Sequence, residues 1–139
     1  MQLLVKKVES DAKLPERAHA EDAGADLFSY GEQTIRAHET KKLRTGISIA
    51  FPIGYVALIW DKSSIGAMGI TTLGGVIDAG YRGEYIVLLH NLSNESVTFA
   101  HGQKIAQVLI QKVELPEIVE VESLDESVRG GGGFGSTGK

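Results

Sequence analysis

The stretch "TGISIAFPIGYVALIW", residues 45–60, decides how this chain folds. In its first half Ile47, Ile49 and Phe51 alternate with smaller residues, so an extended backbone brings the three to one face. Pro52 and Gly54 interrupt it. "GYVALIW" then runs apolar for the length of one strand, the pattern expected where both faces of a strand are buried. Neither half carries the 3.6-residue period of a helix.

Outward from there the same reading repeats. Residues 2–7 form a short apolar strand, "EYIVLLHN" (84–91) is a second continuous apolar run, and "SVTFA" (96–100) and "KIAQVLIQKV" (104–113) are rich in β-branched residues. Glycine, proline or asparagine separates most of these runs, at the spacing of sandwiches and barrels. No helix-period stretch reaches 11 residues, and one short helical turn is expected over Ser63–Met68. The prediction is an all-β protein: a compact antiparallel β-barrel or jelly roll over residues 1–122, then a mobile tail over 123–139. Strands apolar on both faces also point to a partner subunit.

At 139 residues the chain suits one domain that buries most of its apolar surface. It is 42% hydrophobic with a formal net charge of −4 and no long basic run, so no nucleic-acid polymer is expected as partner; a duplex binder needs a dense lysine and arginine footprint. The absence of cysteine excludes disulfides and thiolate metal sites and fits a reducing interior. "MQLLVKKVESD" lacks the charged and apolar regions of a signal peptide, and no apolar run approaches the roughly 20 residues that span a bilayer. A soluble, cytoplasmic protein is expected, and the glycosylation patterns at Asn91 and Asn94 are read as chance.

The chain ends "RGGGGFGSTGK", residues 129–139, with six of its seventeen glycines in the last ten positions. Gly130, Gly132 and Gly135 satisfy G-x-G-x-x-G, and Gly133–Lys139 resembles the start of a P-loop, but both need a following helix and the chain stops. The bland reading is a low-complexity end. Against it, Arg129 and Phe134 would give glycine-lined amides a guanidinium fork and a stacking ring, the parts of a lid on a nucleotide.

Four further stretches carry polar groups. "DKSSIGAMGI" (61–70) sets two serines after a lysine in a turn closed by Gly66 and Gly69, either a helix N-cap or a set of donors for an anion. "GGVIDAGYRGEY" (74–85) puts Asp78 at the end of an apolar run with Tyr81 three residues on. The aspartate either bonds its own turn or orients water beside an aromatic that packs on a sugar. "EDAGADL" (21–27) places Asp22 and Asp26 around Gly24, by itself no more than an acidic turn. "HGQKIAQVLI" (101–110) holds Gln107 in an apolar strand, where a buried amide needs partners. The four histidines show no metal-ligand spacing and read as surface or edge residues.

Taken in order, "EDAGADL", "KSSIGAMGI", "GVIDAGYRGEY", "GQKIAQ" and "RGGGGFGSTG" resemble the five ordered motifs of the trimeric deoxyuridine triphosphate nucleotidohydrolases, the dUTPases. "TGISIAFPIGY" resembles the segment between that family's first two motifs, and the resemblance covers about residues 15–138. It implies a jelly-roll barrel assembled as a homotrimer, with three sites between subunits. It also implies hydrolysis of dUTP to dUMP and pyrophosphate by water attack at the α-phosphorus, with Mg²⁺ on the triphosphate, which limits uracil in DNA and supplies dUMP. By matching position, Asp78 would activate the water, Gln107 would bond the phosphates or the water, and Ser63 would contact the α/β bridge. Lys62, Ser64 and Gly66 would hold phosphate. Leu73, Gly75, Val76 and Ile77 would read the uracil edge through the main chain, and Tyr81 would pack on the deoxyribose. The resemblance gives no direct metal ligand; Asp26 would sit in an outer shell, reaching the ion through water. The tail would close as a lid, with Phe134 on the uracil, Arg129 on phosphate, and Gly135, Ser136 and Thr137 around the γ end.

Two departures stand out. The family usually carries arginine where this chain has Lys62, which keeps the charge and loses the bidentate fork. "KSSIGAMGI" is one residue shorter than the common dUTPase spacing and resembles the related dCTP deaminases, and Thr72 replaces an asparagine of some dUTPases. The alternatives are therefore a dCTP deaminase or bifunctional deaminase–dUTPase, and a non-catalytic dUTP-binding regulator. A deaminase carries a proton-moving glutamate where this chain has Leu88; a pure binder has no use for Asp78.

Overall fold

A computed structural model describes residues 1–133. Its strands are β1 (Leu4–Lys7), β2 (Ala25–Phe28), β3 (Gln33–Ile35), β4 (Thr40–Arg44), β5 (Ile47–Ala50), β6 (Tyr55–Trp60), β7 (Ile70–Thr72), β8 (Val76–Asp78), β9 (Ile86–Asn91), β10 (Val97–Phe99) and β11 (Lys104–Lys112). A single turn of helix, α1 (Ser63–Gly66), lies where a helical turn was expected. Every pairing is antiparallel, in the ladders β1–β5, β3–β10, β4–β9–β7 and β2–β11–β6–β8. The result is the all-β, jelly-roll-like barrel that the strand pattern predicts.

The alternation in β5 is realised as read. Ile47 and Ile49 are buried together with Phe51, against Leu27, Leu43, Val87, Leu89 and Phe99. The continuous apolar runs behave differently. In β6 only Ala57 and Ile59 are buried, and Trp60 is 55% exposed; in β9 Val87 and Leu89 point inward while Ile86 and Leu88 are half-buried. These strands are not covered on both faces within one chain. Their second apolar faces line a cavity or meet solvent, which hydrophobicity alone cannot distinguish from core.

Two local features position the site. β11 carries a bulge between Lys104 and Ala106, marked by the consecutive buried residues Ile105 and Ala106. β8 is the outer strand of its sheet, held by β6 on one side through Val56↔Asp78, Ala57↔Ile77 and Leu58↔Val76. Asn91, one of the two glycosylation-pattern asparagines, is fully buried, and its amide donates to the carbonyls of Ile35, Arg36 and Glu95.

Candidate active site

Strand register brings three of the motifs into one row. Gln107 in β11 lies opposite Asp26 of β2 on one side and Trp60 of β6 on the other, and α1 follows directly after β6. Cross-strand partners share a face of the sheet, so Asp26 and Gln107 stand side by side with Lys62. Gln107 is held from two directions: its Nε2 donates to the Asp61 carbonyl at 2.7 Å, and its side chain lies over Gly24. A β-carbon on Gly24 would stand 2.3 Å from Gln107 Oε1, so a side chain there would displace the Gln107 amide from its place. Ser63 and Ser64 are exposed on α1, where Lys62 is the N-cap and no side chain caps the helix. Their capping reading is thus not realised.

Asp26 is buried, and its two oxygens face the ammoniums of Lys62 and Lys104, the latter at 2.6 Å. Burial pushes its carboxyl up, but hydrogen bonds and charge from Lys104 and Lys62 outweigh that and hold it below its ordinary value of 3.8. Lys104 is correspondingly raised by its bond to Asp26. Neither Lys104 nor Asp61 was among the predicted site residues. Their parts depend on the β11 bulge and on cross-strand pairing, which leave no signal at the residues themselves.

The other half of the predicted constellation surrounds a cavity of about 310 Å³, at the small end of the roughly 300–1,000 Å³ typical of ligand pockets. It is lined by the segment from Leu73 through Gly75, Val76 and Ile77 to Asp78 and by Tyr81, Glu84, Ile86 and Leu88, and the Leu73 N–H donates to the Leu88 carbonyl at 2.9 Å. Gly75 has φ +93°, and a β-carbon there would press to 2.8 Å on the Ile59 carbonyl oxygen, so only glycine lets the loop run this close to β6. Tyr81 folds back over Gly83, its hydroxyl donating to the Glu84 carbonyl at 3.1 Å. Glu84 itself is tied down by Arg44 and the Gly46 amide. Among the described residues no donor holds the exposed Asp78 carboxylate, so the turn-bonding reading of that residue does not apply. Leu88 contributes an apolar wall at the position where a deaminase would need a glutamate.

None of Asp26, Lys62, Ser63, Ser64 and Gln107 lines this cavity. One chain therefore keeps its cation-and-hydroxyl row apart from its main-chain cavity. Arg129 is exposed, its Nε donating to the Gly132 carbonyl in a local turn. Phe134, Gly135, Ser136 and Thr137 lie outside the described residues.

Fold and site together define a jelly-roll protein with a cavity beside an edge strand and a separate ion-paired polar row. The dUTPase family model matches residues 10–138. The deoxyuridine 5'-triphosphate nucleotidohydrolase of Clostridium kluyveri is 46% identical over 141 residues, covering 99% of each chain. A mutant dUTPase of Staphylococcus bacteriophage 80alpha, solved with dUpNHpp, superposes with a TM-score of 0.92 at 28% identity, covering 99% of both chains. A mutant dUTPase from phage phi11 of S. aureus, whose structure describes the coordination of a structural Mg(II) ion, superposes with a TM-score of 0.84 at 25% identity, covering 91% of this chain and 100% of that one. The chain belongs to the dUTPase family.

Proposed function

We propose that this protein hydrolyses dUTP to dUMP and pyrophosphate in the cytoplasm. It does so as a homotrimer whose sites join the cavity of one subunit to the polar row of another. The observation that carries the reading is the Asp78 carboxylate, unheld at the rim of a nucleoside-sized cavity walled by an unpaired strand edge. The free side of β8 offers main-chain donors and acceptors to a planar base, beside a loop fixed by the Leu73 N–H on the Leu88 carbonyl and the Ile59 N–H on the Gly75 carbonyl, and Tyr81 supplies a flat surface for the sugar.

In the reaction Asp78 orients a water and accepts its proton as the water oxygen bonds the α-phosphorus. The bond from that phosphorus to the α/β bridging oxygen breaks, and pyrophosphate leaves with the electron pair. Negative charge grows on the bridging and terminal oxygens. The Gln107 amide and the Lys62 ammonium are held by the Asp61 carbonyl and by Asp26 before the substrate arrives and need not reorganise, and the exposed Ser63 and Ser64 supply further donors. The assignment to Gly66 is an approach of main chain to phosphate.

Among the described residues no three His, Cys, Asp or Glu side chains converge, and both oxygens of Asp26 face ammoniums. That donor set suits a Mg²⁺ carried in on the triphosphate, with Asp26 no nearer than an outer shell; when bound, such an ion supplies counter-charge to the phosphates. The barrel unit is residues 1–122, and residues 123–139 act as the lid, Arg129 gripping phosphate and Phe134, Gly135, Ser136 and Thr137 covering the nucleotide. No membrane or nucleic-acid polymer enters this reading.

The test is pyrophosphate release with Mg²⁺ from dUTP, dCTP, dTTP and UTP in parallel, with ammonia monitored in the dCTP sample. Pyrophosphate from dUTP alone is the expected result. Ammonia from dCTP would make the chain a deaminase, and binding of dUTP without release would make it a regulator.

A further inference from the structure

The Asp26 cluster holds more positive charge than its burial requires. A carboxylate taken out of water must be paired, and one ammonium suffices to neutralise it. Here two approach, from different elements: Lys62 leads into α1, and Lys104 opens β11. Lys104 and Gln107 are three residues apart, which in a regular strand sends them to opposite faces. The bulge between Lys104 and Ala106 removes that obstacle, and Lys104 reaches the carboxylate that lies opposite Gln107. Asp26 and its two lysines together carry a net charge of +1, with the carboxylates of Glu16 and Asp22 near enough to act on Lys104. The Lys62 and Lys104 side chains remain 23% and 47% exposed, and the exposed Ser63 and Ser64 follow Lys62 directly.

A lysine is a point charge on a flexible stem, whereas an arginine presents two donors in a fixed plane. We propose that Asp26 is a positioning residue that couples the ammoniums of Lys62 and Lys104 into one two-pronged cation for the substrate's triphosphate, replacing with two tethered lysines the fork of a single arginine. This rests on the dUTP reading above and adds Lys104 to the phosphate-holding set. It gives Asp26 a task that needs no metal.

The two accounts of Asp26 differ in sign. Removing a negative charge from an anion site strengthens anion binding by simple electrostatics. If Asp26 holds the lysines in place, its removal weakens binding although the site becomes more positive. The experiment is calorimetric titration of the full chain with inorganic tripolyphosphate in buffer containing EDTA. Wild type is compared with Asp26→Asn, Lys104→Met and Lys104→Arg, each variant checked for wild-type-like circular dichroism.

Lys104→Met should bind roughly tenfold more weakly, the scale of one charged hydrogen bond, and Lys104→Arg should recover most of the loss. Asp26→Asn should also bind several-fold more weakly. Should Asp26→Asn not fold, the cycle of Lys62→Met, Lys104→Met and the double variant carries the test. Coupled lysines lose less together than the product of their separate losses, and independent losses would overturn the proposal. Equal or tighter binding by Asp26→Asn, or wild-type affinity in Lys104→Met, would also overturn it. Pyrophosphate release from dUTP by the wild-type protein, run alongside, tests the parent reading separately. If wild type shows no release but the binding pattern holds, the reaction is wrong and the clamp stands.

Discussion

At the scale of single residues, the site is shaped as much by what is missing as by what is present. Gln107 can lie flat because residue 24 has no side chain, and Tyr81 can fold back because residue 83 has none. Tyr85 shows the opposite economy. It is wholly buried beside Tyr81, with ring centroids 6.3 Å apart, and its hydroxyl has no hydrogen-bond partner among the described residues. Burial pushes its phenol up to about 12, with Arg82 pulling weakly the other way. A buried hydroxyl without a partner carries a desolvation cost of about 1–3 kcal/mol that a phenyl ring of the same shape avoids. Tyr85→Phe should therefore leave the midpoint of urea unfolding unchanged or raise it. A drop of more than about 1 kcal/mol in unfolding free energy would show that the hydroxyl has a partner in the folded protein.

Among the elements, those with an internal pattern were legible and those defined by pairing were not. The alternation of Ile47, Ile49 and Phe51 identifies β5 outright, and the β-branched content of residues 104–113 identifies β11. β3, with three residues, and β4, "TKKLR", carry no apolar period; they are strands because β10 and β9 supply ladders for them. The bulge in β11 is likewise a property of a pair of strands, so Lys104 escaped notice while Gln107 in the same strand did not. β8 was legible only as an apolar run ending in Asp78. What makes it useful is its place at the sheet edge, and Gly75 controls that place. A β-carbon at Gly75 meets the Ile59 carbonyl while its φ of +93° strains any other residue. Gly75→Ala should cost about 1–3 kcal/mol of stability and shift the β8 edge away from the base. Thermal unfolding should drop by several degrees and KM for dUTP should rise. A wild-type melting temperature with unchanged KM would mean that the loop and β8 do not read the base.

For the whole molecule the deciding fact is that the main-chain cavity and the cation row do not share a lining in one chain. The five motifs were legible in order, but sequence order cannot say which of them meet within a subunit. The ladders answer that for three: "EDAGADL", "KSSIGAMGI" and "GQKIAQ" meet through β2, β6 and β11, whereas Asp78 and Tyr81 face the cavity. The large apolar side chains left at the surface, Ile53, Trp60 and Val76 among them, give the proposed trimer something to bury. Sites shared between subunits make a sharp prediction. Asp78→Asn should bind dUTP but lose most turnover, and Gln107→Ala should lose turnover through the other half of the site. In a closed ring each site takes one half from each of two neighbours, so unfolding and refolding the two inactive variants together in equal amounts should restore about a quarter of wild-type activity. The same variants refolded separately and then mixed should restore none at first. If co-refolded protein stays inactive while native mass spectrometry shows mixed trimers, each site is built within a single chain and the shared-site arrangement is wrong.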